Sequence, residues 1–278
     1  MQAMEAIKRR ISVRSYSDKP VEESVRIELE EYFQNPLQGP FGAAVRFKMI
    51  DLEPLRTEEL RPLGTYGIIK GARLYILGAV QQGRRAFEDF GYCMEKVVLK
   101  ATSLELGTCW LGGTFRRSAF AAKMNLKTDE LLPAITPVGY PAQEVSTADR
   151  LLRFAAGSGK RKHWDDLFFY GESLAPLPEE EAGDYRDALE AVRMGPSASN
   201  RQPWRILKDN AGRFHFYLKE NRVYNRILGK IRLQNIDMGI AMCHFEMAAR
   251  EQALPGRWEI NNPAVETAGL RYIATWAT

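Results

Sequence analysis

The sequence predicts an α+β fold built from two related halves. Three observations carry that expectation: helical and strand-like segments mix without a regular βαβ alternation, two long amphipathic helices share one register of internal repetition, and each of those helices runs on to a strand-like ending. Repetition is weighed first because it decides where a shared site can lie. Asp89-Phe-Gly91-Tyr-Cys-Met94 matches Asp237-Met-Gly239-Ile-Ala-Met242, and the same offset aligns Ala101 with Ala249, Leu106 with Leu254 and Trp110 with Trp258. Six identities in a single register exceed chance.

From the N-terminus, the spacing predicts helices over Gln2–Arg9 and Val21–Phe33, then strands over Val45–Asp51 and Arg73–Val80. Gly91, Met94, Val97, Val98, Ala101 and Leu104 recur at helical spacing and define the first long helix. A short helix over Ser118–Met124 and the strand-like Ala134–Tyr140 close the first half. Glu172–Asp184 holds Pro176, Pro178 and the acidic run Glu179–Glu181, which suits an exposed connection. The boundary is therefore placed there, giving halves 1–171 and 172–278. In the second half a helix over Asp184–Met194 precedes strands over Trp204–Lys208 and Arg213–Leu218. Ile240, Cys243, Phe245, Met247 and Ala248 mark the second long helix, and Leu270–Trp276 the last strand.

With 278 residues, 45% hydrophobic and 27% charged, the chain can bury one large core or two smaller ones. Its longest apolar stretches, such as Ala72–Val80, fall far below the roughly 20 residues of a membrane span, and Met1–Arg14 lacks an apolar signal core. A cytoplasmic protein without a membrane partner is expected. Cys93, Cys109 and Cys243 are isolated and read as small buried hydrophobes, while His163, His215 and His244 are too scattered for a histidine-rich metal site. The net charge of +4 is mild, and its basic groups cluster at Lys8–Arg14, Arg116–Arg117 and Lys160–Lys162. Such clustering favours a small anionic ligand over nucleic acid.

Three segments could hold that ligand. In Arg9-Arg10-Ile11-Ser12-Val13-Arg14, an extended backbone would send Arg10, Ser12 and Arg14 to one side, a guanidinium clamp around a hydroxyl, with Ile11 and Val13 toward the core. The same residues also fit a solvated strand edge. Pro196-Ser197-Ala198-Ser199-Asn200-Arg201-Gln202-Pro203-Trp204 crowds short polar side chains between two prolines, either to direct hydrogen bonds at a ligand or to cap a helix-to-strand loop. Leu106-Gly107-Thr108-Cys109-Trp110 places a glycine where a left-handed helix cap is expected, and where backbone could approach a flat ligand. Ala156-Gly-Ser-Gly159-Lys160 is rejected as a phosphate loop, because Phe154 and Arg161 stand where Gly and Ser or Thr are needed.

Taken together, the three segments resemble the nitroreductase family, with its Arg-x-Ser-x-Arg opening, its Pro-Ser-x-x-Asn-x-Gln-Pro-Trp loop and its Leu-Gly-Thr helix ending. The resemblance implies central, mostly antiparallel sheets flanked by helices and one bound FMN. It also implies that the two halves form an intramolecular pseudo-dimer, since the family builds each site from two subunits. Only the first half keeps the Arg motif and only the second the Pro-Ser loop, while Asn35–Gly42 and Leu254–Trp258 stand in the corresponding places without the pattern. The residues implied for the cofactor are Arg9, Arg10, Ser12, Arg14, Gly107, Thr108, Cys109, Trp110, Lys160, Arg161, Pro196, Ser197, Ala198, Ser199, Asn200 and Gln202. No separate catalytic residue and no metal are implied. The activity implied is reduction of a small electron-poor acceptor, a nitroaromatic or quinone, by NADH or NADPH in a monomeric chain. Tyr66, Arg222 and Tyr224 are candidates to cover the substrate face. A non-catalytic flavin-binding or sensing protein would share the phosphate clamp, and a nucleic-acid binder would use the arginines without FMN.

Overall fold

The computed structural model describes residues 1–35, 37–53, 63–143, 160–171, 175–221, 230–260 and 269–278. Helices α1 (Ala3–Arg9) and α2 (Glu23–Gln34) precede strands β1 (Val45–Asp51) and β2 (Leu74–Gln81). Helix α3 (Ala86–Ser103), β3 (Gly107–Thr108), α4 (Arg117–Met124), β4 (Glu130–Leu131) and β5 (Ile135–Gly139) follow. Next come β6 (Phe168–Tyr170), β7 (Ala175–Pro176), a 3-10 segment over Glu179–Tyr185, and α5 (Arg186–Met194). Strands β8 (Trp204–Lys208) and β9 (Phe214–Lys219), helix α6 (Leu233–Glu251), and strands β10 (Arg257–Glu259) and β11 (Leu270–Ala277) end the chain. Among the described residues, no helix is long and apolar enough to cross a membrane.

The strands form two sheets whose paths repeat. The first runs β1-β2-β5-β3, with β4 on β2, and the second contains β8-β9-β11-β10, the same order of equivalent strands. Pairing is antiparallel throughout the first sheet. The central strand β2 is apolar and buried from Leu74 to Val80, as a strand covered on both faces must be. Two strands of the second sheet have no equivalent in the first: β6, the last element of residues 1–171, joins it in parallel to β8, with Phe168 opposite Ile206, and β7 pairs with β6. The expected division after residue 171 falls between β6 and β7, which pair with each other.

Helices α3 and α6 lie between the sheets and are buried almost all round, including charged positions such as Glu88, Asp89, Glu95, Asp237 and His244. Their contact explains the two glycines of the sequence repeat. A Cβ on Gly91 would overlap the carbonyl oxygen of Ile236, and one on Gly239 would overlap that of Glu88. The repeat register that pairs Gly91 with Gly239 also pairs Glu88 with Ile236, so the two contacts are mates across a pseudo-twofold axis. The repeated aspartates act in parallel. Asp89 accepts the Phe41 and Ala43 N–H groups at 2.9 and 2.7 Å, and Asp237 accepts that of Ala198 at 2.9 Å, each tying a helix-to-strand loop to a central helix.

Neither glycine can take a methyl group without moving backbone. Gly91→Ala and Gly239→Ala should each lower the unfolding free energy by about 1–3 kcal/mol, measured by urea denaturation. A midpoint equal to that of the wild type for both would contradict this account of the helix contact.

Candidate functional site: a cavity between the halves

A cavity of about 360 Å³ opens beside the α3–α6 contact. One wall is the segment that leaves α1. There the Val13 N–H donates to the Thr108 carbonyl at 2.8 Å, and a single parallel bridge joins Ser12 to Thr108, which carries Arg10, Ser12 and Arg14 to the cavity. Val13 packs inward as expected, but Ile11 does not: it is 53% exposed and also lines the cavity. One bridge does not hold the chain in a ladder, so strict alternation stops there.

The turn after α3 behind this wall differs from expectation. The left-handed residue is Glu105, with φ 65°, and not Gly107. Glycine is needed at 107 for space, because a Cβ would run into the Val13 side chain. Gly107 and Thr108 therefore back the Arg segment from within β3, while Cys109, Trp110 and Gly112 reach the cavity. Arg9 turns away to pair with Glu5 and Glu105 at 3.6 and 3.3 Å.

The opposite wall is the Pro196–Trp204 loop, from which Pro196, Ser197, Ala198, Ser199 and Asn200 line the cavity. Its backbone is tightly wound, with Ser199, Asn200 and Gln202 all at positive φ between 47° and 51°. Side chains hold this shape. The Gln202 N–H donates to Ser197 Oγ at 2.8 Å, and Gln202 Nε2 donates to the Asn200 carbonyl at 3.2 Å. Gln202 is thus a buried brace with no place on the cavity surface.

The loop also captures the basic run. Asn200 Nδ2 donates to the Lys160 carbonyl at 2.8 Å, the Lys162 N–H donates to Gln202 Oε1 at 2.8 Å, and Arg161 donates to Asn200 Oδ1 and the Met194 carbonyl at 3.3 and 3.1 Å. Arg161 is thereby brought to the cavity, whereas the Lys160 side chain is exposed and only its carbonyl serves the loop. Residues 144–159, with the rejected phosphate loop's Ala156–Gly159, and residues 222–229, with Arg222 and Tyr224, lie outside the described residues; Tyr66 is described and is 67% exposed.

Ala134, Leu233, Ile236, Asp237 and Ile240 also line the cavity, and the sequence reading had not assigned them to it. The last four fall on one face of α6 at three- and four-residue spacing, the signal that could have found them.

The charges are unusual for a protein interior. Burial pushes the Arg10 guanidinium down, opposed chiefly by the charge of Glu95, and among the described residues Arg10 Nε has no hydrogen-bond partner. Burial also lowers Arg161, and the positive charge of Arg10 lowers it further, so the two cations share one region. Asp237 is the one acid on the cavity surface among the described residues; burial raises it to about 8, offset by the Ala198 N–H, and its Oδ2 has no partner. With Oδ1 accepting, Oδ2 is the oxygen left to carry a proton, and burial favours that protonated form. Two crowded cations and a neutral acid make a site for an anion.

The family model described as "Putative TM nitroreductase" matches residues 2–249. Among solved structures, a "putative nitroreductase" of Thermotoga maritima MSB8 is 19% identical with a TM-score of 0.61, covering 99% of this chain and 93% of its own. A "nitroreductase family protein" of Clostridium novyi NT is 17% identical with a TM-score of 0.43, covering 51% of this chain and 87% of its own. A "putative nitroreductase in complex with fmn" of Desulfovibrio desulfuricans is 25% identical with a TM-score of 0.41, covering 54% and 95%. No curated protein matches the chain.

Asp237 generates a test of the cavity's electrostatics. Folding raises this carboxyl from 3.8 to about 8, so between those values the folded chain keeps a proton that the unfolded chain has released. Its contribution to stability is complete below the lower value and is lost as pH rises toward the upper one. Asp237→Asn has no such proton to lose. The melting temperature of the variant relative to wild type should therefore climb by several degrees from about pH 5 to about pH 8; a constant difference would show that Asp237 ionises normally.

Proposed function

The chain belongs to the nitroreductase family, and from that premise we propose that it is an FMN-dependent oxidoreductase that uses NADH or NADPH to reduce a nitroaromatic, quinone or related electron-poor acceptor. The observation that carries the reading is Arg10: a buried guanidinium with an unpartnered Nε on the wall of a cavity shared by both halves. A buried donor left without a partner is costly, and a ligand in the cavity would complete it. The remaining walls fit the group. Arg14 and Arg161 add cationic donors, Ser12, Ser197, Ser199 and Asn200 add hydroxyl and amide groups, and Trp110, Leu233, Ile236 and Ile240 supply apolar surface for a flat ring system.

FMN, when bound, supplies the two-electron chemistry, taking a hydride from the nicotinamide and passing it to the acceptor. This chain's residues bind and orient. Arg10 and Arg161 favour negative charge on the ligand, and Asn200 and Gln202 hold Arg161 and the loop in place before any ligand arrives, which limits the ordering cost of binding. Asp237, neutral with its proton on Oδ2, leaves an anion unopposed from the α6 side. We read halves 1–171 and 172–278 as equivalents of two subunits, so that a monomer holds one complete site.

Visible absorption of the purified protein, followed by anaerobic addition of NADPH and then NADH, tests the reading directly. Flavin bands that bleach promptly are expected; bands that persist would point to a flavin-binding or sensing protein, and no uptake of added FMN would overturn the assignment. Arg10→Ala should weaken FMN binding at least about tenfold, the scale of a lost charged hydrogen bond, and Asn200→Ala should weaken it less, by releasing Arg161. Light scattering should give the mass of one chain.

A further inference from the structure

Beneath the cavity a buried polar network joins the two halves. Trp110 Nε1 donates to Glu95 Oε2 at 2.7 Å, Glu95 Oε1 lies 2.8 Å from His244 Nε2, and His244 Nδ1 lies 2.8 Å from the Ala191 carbonyl. Glu95 on α3 and His244 on α6 are both 0% exposed. A carbonyl only accepts, so His244 Nδ1 carries a hydrogen. One further proton then lies between Nε2 and Oε1, and whichever atom holds it, the pair is net neutral. Buried ionisable groups are costly and are retained where they do something that apolar residues cannot.

What this pair can do follows from its neighbour. Trp110, which holds one Glu95 oxygen, lines the cavity together with Arg10, and His244 holds the other oxygen. Glu95 thus lies one side chain behind the wall that carries Arg10 and supplies the foremost charge acting on it, yet among the described residues Arg10 makes no ion pair. We infer that Glu95 and His244 are positioning residues: His244 occupies the carboxylate oxygen that would otherwise swing to Arg10, and so keeps the guanidinium available for an anionic group on the ligand. The inference rests on the flavin reading only for the identity of that anion. The device is shared between the halves, because the masking imidazole belongs to α6 and the protected cation to the segment after α1.

Charge masking and mere packing make opposite predictions for a double variant. His244→Leu has no donor for Glu95, releases one Glu95 oxygen to Arg10 and should weaken FMN binding, read by quenching of flavin fluorescence, at least about tenfold. Glu95→Gln removes the competing charge, can still accept from Trp110 and can donate to His244, so it should leave FMN affinity at or above that of wild type. The Glu95→Gln/His244→Leu double variant should regain most of the affinity lost in His244→Leu, a rescue that a packing role would not give. Weaker binding by Glu95→Gln alone, or a double variant worse than His244→Leu, would overturn the inference. A flavin-free crystal structure of His244→Leu separates the two readings: Glu95 should stand at ion-pair distance from Arg10 there. Glu95 left in place refutes masking even if FMN binds, and a wild type that takes up no FMN refutes the flavin assignment even if Glu95 moves.

Discussion

Gly91 and Gly239 let the backbones of two central helices touch, and that contact fixes the position of nearly everything else. Each helix carries one sheet on its outer side and one loop tied to it by an aspartate, so the distance between the helices sets the distance between the halves. Side chains larger than hydrogen at these two points would push the walls of the cavity apart. The cavity thus adjoins the close helix packing, with Ile236, Asp237 and Ile240 on its wall within three residues of Gly239.

Within that shared frame, small differences distinguish the parts around the cavity from their equivalents in the repeat. Asp89 satisfies both of its oxygens with loop N–H groups, and the Gly39–Ala43 loop it holds packs Phe41 against the core. Asp237 satisfies only one, because the Asn200 N–H, at 2.9 Å from the Ser197 carbonyl, is spent inside its own loop. A loop wound on itself through three left-handed residues stands on the cavity wall, whereas the other loop is pinned twice to its helix. Trp258, the mate of Trp110, packs edge-on against Phe216 and Trp276 in an aromatic cluster.

Much of this was legible in the sequence. The repeat picked out the two glycines that make the helix contact, apolar spacing placed the shorter helices and the longer strands within about two residues while marking only the middle of the two long helices, and the Arg and Pro-Ser motifs named both walls of the cavity. Local pattern failed where the cause was tertiary. Arg9 and Arg10 are indistinguishable neighbours in sequence, yet an exposed carboxylate at Glu105 draws one away while the turn out of α1 buries the other. The α6 lining was overlooked because apolar residues on a long helix read as core whether they meet protein or a cavity. His244, one of three scattered histidines, acquires its partner from 149 residues away. The crossing of β6 into the second sheet left no mark at all, since a three-residue strand carries too little periodicity to declare its neighbour.

The cavity's two walls are joined by a continuous chain, and this separates the protein from any site made by association. When walls belong to separate molecules, the fraction assembled falls on dilution and responds to every change in expression. Here each wall meets the other at a fixed local concentration set by the intervening polypeptide. The meeting of these two walls is therefore a property of the single molecule, the same in a crowded compartment as at trace abundance.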